Sequence, residues 1–271
     1  MLYHLSRLLQ PYFGPARLLS SRLLLLSVGT LVAATLTGIL LPRLWHLLPR
    51  DHGKAILGKD GMKSAGKPTG AGFLVTLLAL PVIVVFVPLA GWDALTLVFV
   101  YLAMLFGYLD DRSQVPWGEL KKGLLDAVCA IAIACFIAKG HGTAVWFPFV
   151  KGLWTVPAVV YIPVAALVLW FTMNATNCSD GVDGLAGSLT AISLVILSVL
   201  MYVVIGYRPV AHYFLIPCNP EAATWAILTM IVAGGFGGYL WFNAEPSRVL
   251  MGDAGSRFLG ILVGAAVLVT G

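Results

Sequence analysis

Residues 156–205 read VPAVVYIPVAALVLWFTM, then NATNCSDGVDG, then LAGSLTAISLVILSVLMYVVI. Two apolar runs, Val156–Met173 and Leu185–Ile205, flank a polar stretch from Asn174 to Gly184 that holds Asn174, Asn177, Asp180 and Asp183. A helix needs about 20 mainly apolar residues to cross a bilayer, and a barrel strand would alternate over roughly ten. Neither run alternates, so the stretch reads as helix, polar hairpin, helix within a membrane.

The rest of the chain repeats this grammar. Of 271 residues, 59% are hydrophobic and 11% charged, and the mean hydropathy is +0.92. That composition belongs to an integral membrane protein. Further spans are expected at Leu23–Leu41, Phe73–Leu89, Ala94–Leu109, Leu124–Ala138 and Ala222–Phe242. Another begins at Phe258 and is still apolar at Gly271, which leaves it short for a crossing. The fold class is therefore all-α, a polytopic helix bundle of about eight spans. Residues 1–271 form one domain with no internal repeat, and the chain reads as truncated at its C-terminal end. The first span is too long, and too poorly followed by small residues, for a cleaved signal. Cys129, Cys135, Cys178 and Cys218 have no disulfide spacing and are expected as free thiols.

Three acidic clusters sit at span ends: Asp110-Asp111, the Asn174–Gly184 hairpin, and Met251-Gly-Asp253-Ala-Gly-Ser256. Two spans separate consecutive clusters, so all three face one aqueous compartment. Arg43, Arg50, Lys54, Lys59, Lys63, Lys67, Arg112, Lys121, Lys122, Arg248 and Arg257 lie on that side. Arg7, Arg17, Arg22, Lys139, Lys151 and Arg208 lie on the other. The excess places the clusters in the cytoplasm.

Carboxylates gathered at a membrane surface point to a divalent cation and a phosphate-bearing ligand. Neighbouring helical residues point about 100° apart. Asp110 and Asp111 therefore suit a division of labour, and as a pair at a helix C-terminus they oppose the macrodipole. Asn174, Asn177 and Asp180 recur every three residues, as one helical face would require if the helix continues past Met173. Their amides suit a nucleobase or a sugar hydroxyl. Asp253 stands between glycines that let backbone approach a phosphate. The loop at residues 42–72 offers lysines and backbone N–H groups to phosphate. Asp126 is the carboxylate placed within a span, and a cation-coupled transporter would need more of these near mid-membrane. His4, His46, His52, His141 and His212 show no metal-ligand spacing. Together these features describe a Mg²⁺-assisted reaction at phosphorus with a lipid substrate.

At this level the chain resembles the polyprenyl-phosphate N-acetylhexosamine-1-phosphate transferases over essentially its whole length. The resemblance runs through Asp60-Gly-Met-Lys63-Ser64, Gly66-Lys-Pro68-Thr69-Gly-Ala-Gly72, Gly107-Tyr-Leu-Asp110-Asp111, Asn174–Ala186 and Gly238–Ser256. The Pro68-Thr69 element and the Trp241-Phe-Asn243-Ala run favour the muramoyl-pentapeptide branch over the N-acetylglucosamine-1-phosphate enzymes, which stay as the alternative. The resemblance implies transfer of phospho-MurNAc-pentapeptide from its UDP carrier to undecaprenyl phosphate, giving lipid I and UMP for the bacterial cell wall. It implies Mg²⁺ held by Asp253 with Asp110 and Asp111, and catalysis by these three. Asp110 is favoured over Asp111 as the base that deprotonates undecaprenyl phosphate. Direct attack and a covalent aspartyl intermediate both fit. Asn174, Asn177, Asp180 and Asp183 would line the nucleotide side, with Lys122, or equally Lys121, and Lys63 and Thr69 also binding substrate. The setting implied is the bacterial inner membrane, with no nucleic-acid partner, and the family is compatible with a homodimer. Several positions depart from the family pattern. Lys67 stands where a threonine is usual, Cys178-Ser179 replaces Leu-Thr, and Arg257 occupies a normally apolar place. The family's late histidine-bearing loop and last helices have no counterpart in this sequence.

Overall fold

The computed structural model describes residues 1–51, 65–89, 91–113, 115, 117–147 and 152–271. Uncharged runs in lipid can satisfy their backbone only by bonding within a helix, and each apolar run has done so. A short amphipathic helix, α1 (Leu2–Leu9), precedes the long helix α2 (Arg22–Leu44). Then come α3 (Ala71–Phe86), α4 (Trp92–Arg112) and α5 (Glu119–Gly140). A small hairpin of β1 (Ala144–Trp146) and β2 (Leu153–Thr155) leads into α6 (Ala158–Ser179). The helix α7 (Leu185–Val199) is prolonged by a π-helical turn, Leu200–Ile205. The chain continues through α8 (Arg208–Tyr213), α9 (Ala222–Asn243) and α10 (Gly252–Thr270).

Among the described residues, seven helices are long and apolar enough to cross a membrane, namely α2, α4, α5, α6, α7 with its π turn, α9 and α10. The helix α3 is a shorter apolar one. The protein is an all-α, multi-pass membrane protein. All four cysteines are free.

The helices α9 and α10 form the centre. Of their apolar windows 61% and 72% are buried, against 22–33% for the other spans. Small residues allow this, because bilayer helices gain from close backbone approach rather than from hiding apolar surface. A Cβ on Gly234 or Gly238 of α9 would lie 2.5 Å from the Thr30 or Ala34 carbonyl of α2. A Cβ on Gly72 of α3 would lie 2.1 Å from Gly255 Cα of α10, and one on Gly107 of α4 would lie 2.5 Å from the Asp253 carbonyl.

Several boundaries differ from the sequence expectation, and the largest shifts fall at polar motifs. The last helix starts at Gly252 rather than Phe258, because hydropathy discards a first turn containing Asp253, Ser256 and Arg257. At 19 residues, α10 is about 28 Å long, close to the hydrocarbon thickness rather than too short for it. The helix α5 likewise begins five residues before the expected Leu124, at Glu119. The helix α6 continues past Met173 to Ser179, as the three-residue recurrence of Asn174, Asn177 and Asp180 requires.

Candidate active site

The C-termini of α4, α6 and α9 meet the N-termini of α3, α5, α7 and α10 at one end of the bundle. The acidic clusters are brought together there by a backbone framework. Ala71 and Gly72 N–H groups donate to the Leu250 and Met251 carbonyls, and the Leu250 N–H donates to Pro68, at 2.8–3.0 Å. The segment Pro68–Gly72 is thus laced to the segment entering α10.

Asp111 belongs to this framework. Its Oδ1 accepts the Asp253 N–H at 3.0 Å and its Oδ2 the Ala254 N–H at 3.1 Å. These amides sit in the first turn of α10, where helical N–H groups lack internal partners and the macrodipole favours an anion. A carboxylate that opposes the dipole of its own helix therefore serves as the cap of another. The approach needs glycine at 252, which has φ +73° and whose Cβ would lie 2.5 Å from Asp111 Oδ2.

Asp110 points elsewhere. Its Oδ2 pairs with Lys122 Nζ at 2.6 Å, and its Oδ1 accepts the Trp117 N–H at 2.8 Å. Lys122 Nζ also lies 3.5 Å from Asp253 Oδ2. One ammonium on α5 thus gathers a carboxylate from α4 and another from α10. The Asp110 side chain is nearly enclosed, whereas that of Asp253 is 27% exposed and open to a ligand. Behind Asp253, Arg257 ion-pairs with Asp126, and its Nη2 lies 3.7 Å from Asp253 Oδ2.

A second polar group lies along the same framework. Lys67 Nζ donates to Ser247 Oγ at 2.8 Å and is 3.5 Å from Asp183 Oδ2. Ser247 donates to the same Asp183 oxygen. Asn243 accepts the Gly184 N–H at 2.9 Å and donates to the Val249 carbonyl at 2.9 Å, which fixes the hairpin between α6 and α7 on the end of α9. Asn174 Nδ2 donates to its own helix at the Trp170 carbonyl, 2.8 Å away, and Asn177 and Asp180 follow it at the end of α6. Thr69 is the residue before Gly70, the left-handed N-cap of α3. Lys63 lies outside the described residues.

The structure therefore joins Asp110, Lys122, Asp253 and Asp111 in one contact network, and joins Asp183 with Lys67 and Ser247 in another. Ser247 and Asn243 fall within the Gly238–Ser256 stretch, where sequence alone assigns them no task, and Trp117 contributes its backbone N–H. The backbone donor at 117 has no side-chain signature. Among the described residues no group of three or more His, Cys, Asp or Glu gathers to hold a metal ion alone.

Residues 94–271, which carry every carboxylate of both networks, match the model of glycosyl transferase family 4. The chain belongs to this family. A phospho-N-acetylmuramoyl-pentapeptide-transferase of Treponema pallidum is 39% identical over 97% of this chain and 73% of its own length. The proteins of the same description in Koribacter versatilis and Citrifermentans bemidjiense are 31% and 29% identical. They cover 78% and 100% of this chain and 62% and 79% of their own lengths. Membership makes the chain a phosphotransferase-type enzyme, and the meeting point of α4, α5 and α10 is its candidate active site.

Proposed function

We propose that this protein transfers phospho-MurNAc-pentapeptide from UDP-MurNAc-pentapeptide to undecaprenyl phosphate, forming lipid I and UMP at the cytoplasmic face of the bacterial inner membrane. The observation that carries the reading is the convergence of Asp110 and Asp253 on Lys122 at a bundle end, in a chain similar over nearly its whole length to a phospho-N-acetylmuramoyl-pentapeptide-transferase.

The donor chemistry fits Mg²⁺. That ion is usually bound by one or two carboxylates together with substrate phosphates, not by an all-protein cage. Asp253 and Asp110 would hold it, and when bound it neutralises the pyrophosphate oxygens and eases departure of UMP. Asp111 supports them from behind as the cap of α10. Lys122 holds the phosphate of the lipid acceptor, and Asp110 takes the proton from that phosphate. The freed oxygen attacks the sugar-linked phosphorus. The P–O bond of the pyrophosphate breaks, and its electron pair leaves with UMP. Asn174, Asn177, Asp180 and Asp183 face the nucleotide, with Lys67 and Ser247 orienting Asp183.

The acceptor's chain needs an apolar path ending at Lys122. A cavity of about 520 Å³ lies between α5 and α6, lined by Leu120, Gly123, Leu124, Ala127, Leu167 and Trp170 among others. It reaches the helical turn that carries Lys122, which is not itself in the lining, and a polyprenyl tail seated there would pass its phosphate round that turn to the ammonium.

The test is UMP release from the purified protein given undecaprenyl phosphate and either UDP-MurNAc-pentapeptide or UDP-GlcNAc. Release with the pentapeptide substrate is expected, lost on chelation of divalent cations and reduced at least about 100-fold by Asp253→Asn or Asp110→Asn. Release with UDP-GlcNAc alone would assign the chain to the sister reaction.

A further inference from the structure

Asp126 and Arg257 take no part in the reaction as drawn, yet both are buried, at 2% and 4% exposure. Charges so placed within spans are costly unless they serve a task. Arg257 lies one helical turn after Asp253 on α10, and Asp126 one turn after Lys122 on α5. The side chains of Arg257 and Lys122 approach the same oxygen, Asp253 Oδ2, at 3.7 and 3.5 Å. The guanidinium is shared, with Nη1 paired to Asp126 and Nη2 already within ion-pair distance of Asp253 but beyond direct hydrogen bonding. Among the described residues its buried Nε has no hydrogen-bond partner. A small swing would bring Nη2 into hydrogen-bonding range of Asp253, where a permanent cation would compete with any metal ion for that carboxylate.

We propose that Asp126 offsets the charge of Arg257 and holds its guanidinium back from a direct hydrogen bond to Asp253, and so sets how tightly Asp253 binds a divalent cation. Asp126 and Arg257 are positioning residues, acting through Asp253 without touching substrate. The inference rests on the reading of Asp253 as a cation ligand. It adds a control on that ligand peculiar to residues placed inside the bundle. Neutralising Asp126 releases Arg257 onto Asp253, whereas removing Arg257 as well frees the carboxylate again.

The test titrates the purified protein in detergent micelles with Mn²⁺ in the presence of excess UMP, whose phosphate supplies the non-protein oxygens such an ion takes, reading free Mn²⁺ by electron paramagnetic resonance against a protein-free control, so that turnover is not involved. Thermal melts monitor folding of each variant. Wild-type protein is expected to bind Mn²⁺ and Asp253→Asn to lose it. Asp126→Asn is expected to weaken binding about fivefold or more, the effect of one unit charge at about 4 Å even under water-like screening. Adding Arg257→Leu to Asp126→Asn should restore wild-type affinity within about twofold, a non-additivity expected of residues in contact. A folded Asp126→Asn protein with unchanged affinity would overturn the tether while leaving Asp253 as the ligand. If Asp126→Asn does not fold, the double variant Asp126→Leu/Arg257→Leu decides. Binding as tight as wild type or tighter supports the tether, and weaker binding shows that the pair merely holds Asp253 in place. Absence of Mn²⁺ binding by wild-type protein removes the cation reading and the tether together.

Discussion

At the scale of single residues, adjacent acids have been given different work. Asp110 and Asp111 differ by one position, yet one faces an ammonium and the other a helix terminus. Asp111 accepts two backbone amides through its two oxygens, so its first duty is to fix where α10 begins. Replacing it by Asn removes the charge that the N-terminus favours and offers an amide donor where an acceptor is needed. The expected outcome for Asp111→Asn is a loss of about 1–2 kcal/mol of stability, read as a lower unfolding midpoint in detergent. Lys122→Met should abolish turnover and also lower the midpoint, because it leaves the nearly enclosed Asp110 carboxylate without its ion-pair partner. The division of labour between the two acids was legible from the angular step along a helix. Which acid took which task was not, because the partners lie more than 140 positions along the chain for Asp111.

At the scale of elements, the far end of the bundle is closed by a histidine. His141, at the end of α5, places Nε2 2.7 Å from Asp93 at the start of α4 and Nδ1 3.3 Å from Glu221 just before α9. Burial of the ring favours its neutral form, but the hydrogen bond to Asp93 and the charges of Asp93 and Glu221 outweigh it and raise the pKa above 6.5. A raised folded-state value contributes stability that is fully present below the unfolded pKa and is lost as pH climbs through the folded one. The unfolding midpoint should therefore fall as pH rises above the ordinary histidine value of 6.5 and through the raised folded-state one. His141→Phe should flatten that slope, and a slope retained in the variant would assign it to other groups. Scattered histidines gave no such signal in sequence. Three helices must first be packed before one ring can reach two carboxylates.

At the scale of the whole molecule, topology decides which compartment the site faces. The excess of lysine and arginine on the motif side argues for the cytoplasm. Cys178, at the end of α6, and Cys218, between α8 and α9, are both exposed and lie at opposite ends of the bundle. Each can report its own side in a variant where it is the sole cysteine. A membrane-impermeant maleimide added to intact spheroplasts should modify Cys218, and should reach Cys178 only after permeabilisation. The reverse pattern would place the carboxylates outside and end the proposed reaction, whose nucleotide substrate is cytoplasmic.

The sequence by itself determined the fold class, the presence of eight apolar helices and the gathering of the acidic clusters on one side. These follow from hydropathy, helical period and the parity of crossings, which need only local or counting information. Tertiary structure alone decided that the last helix begins at Gly252, that Asp111 caps it, and that Asp126 and Arg257 stand paired behind Asp253. A charged first turn looks like loop to any measure of hydropathy. It becomes helix only when a carboxylate from another span satisfies its free amides and glycines at 72, 107 and 255 let three backbones close around it.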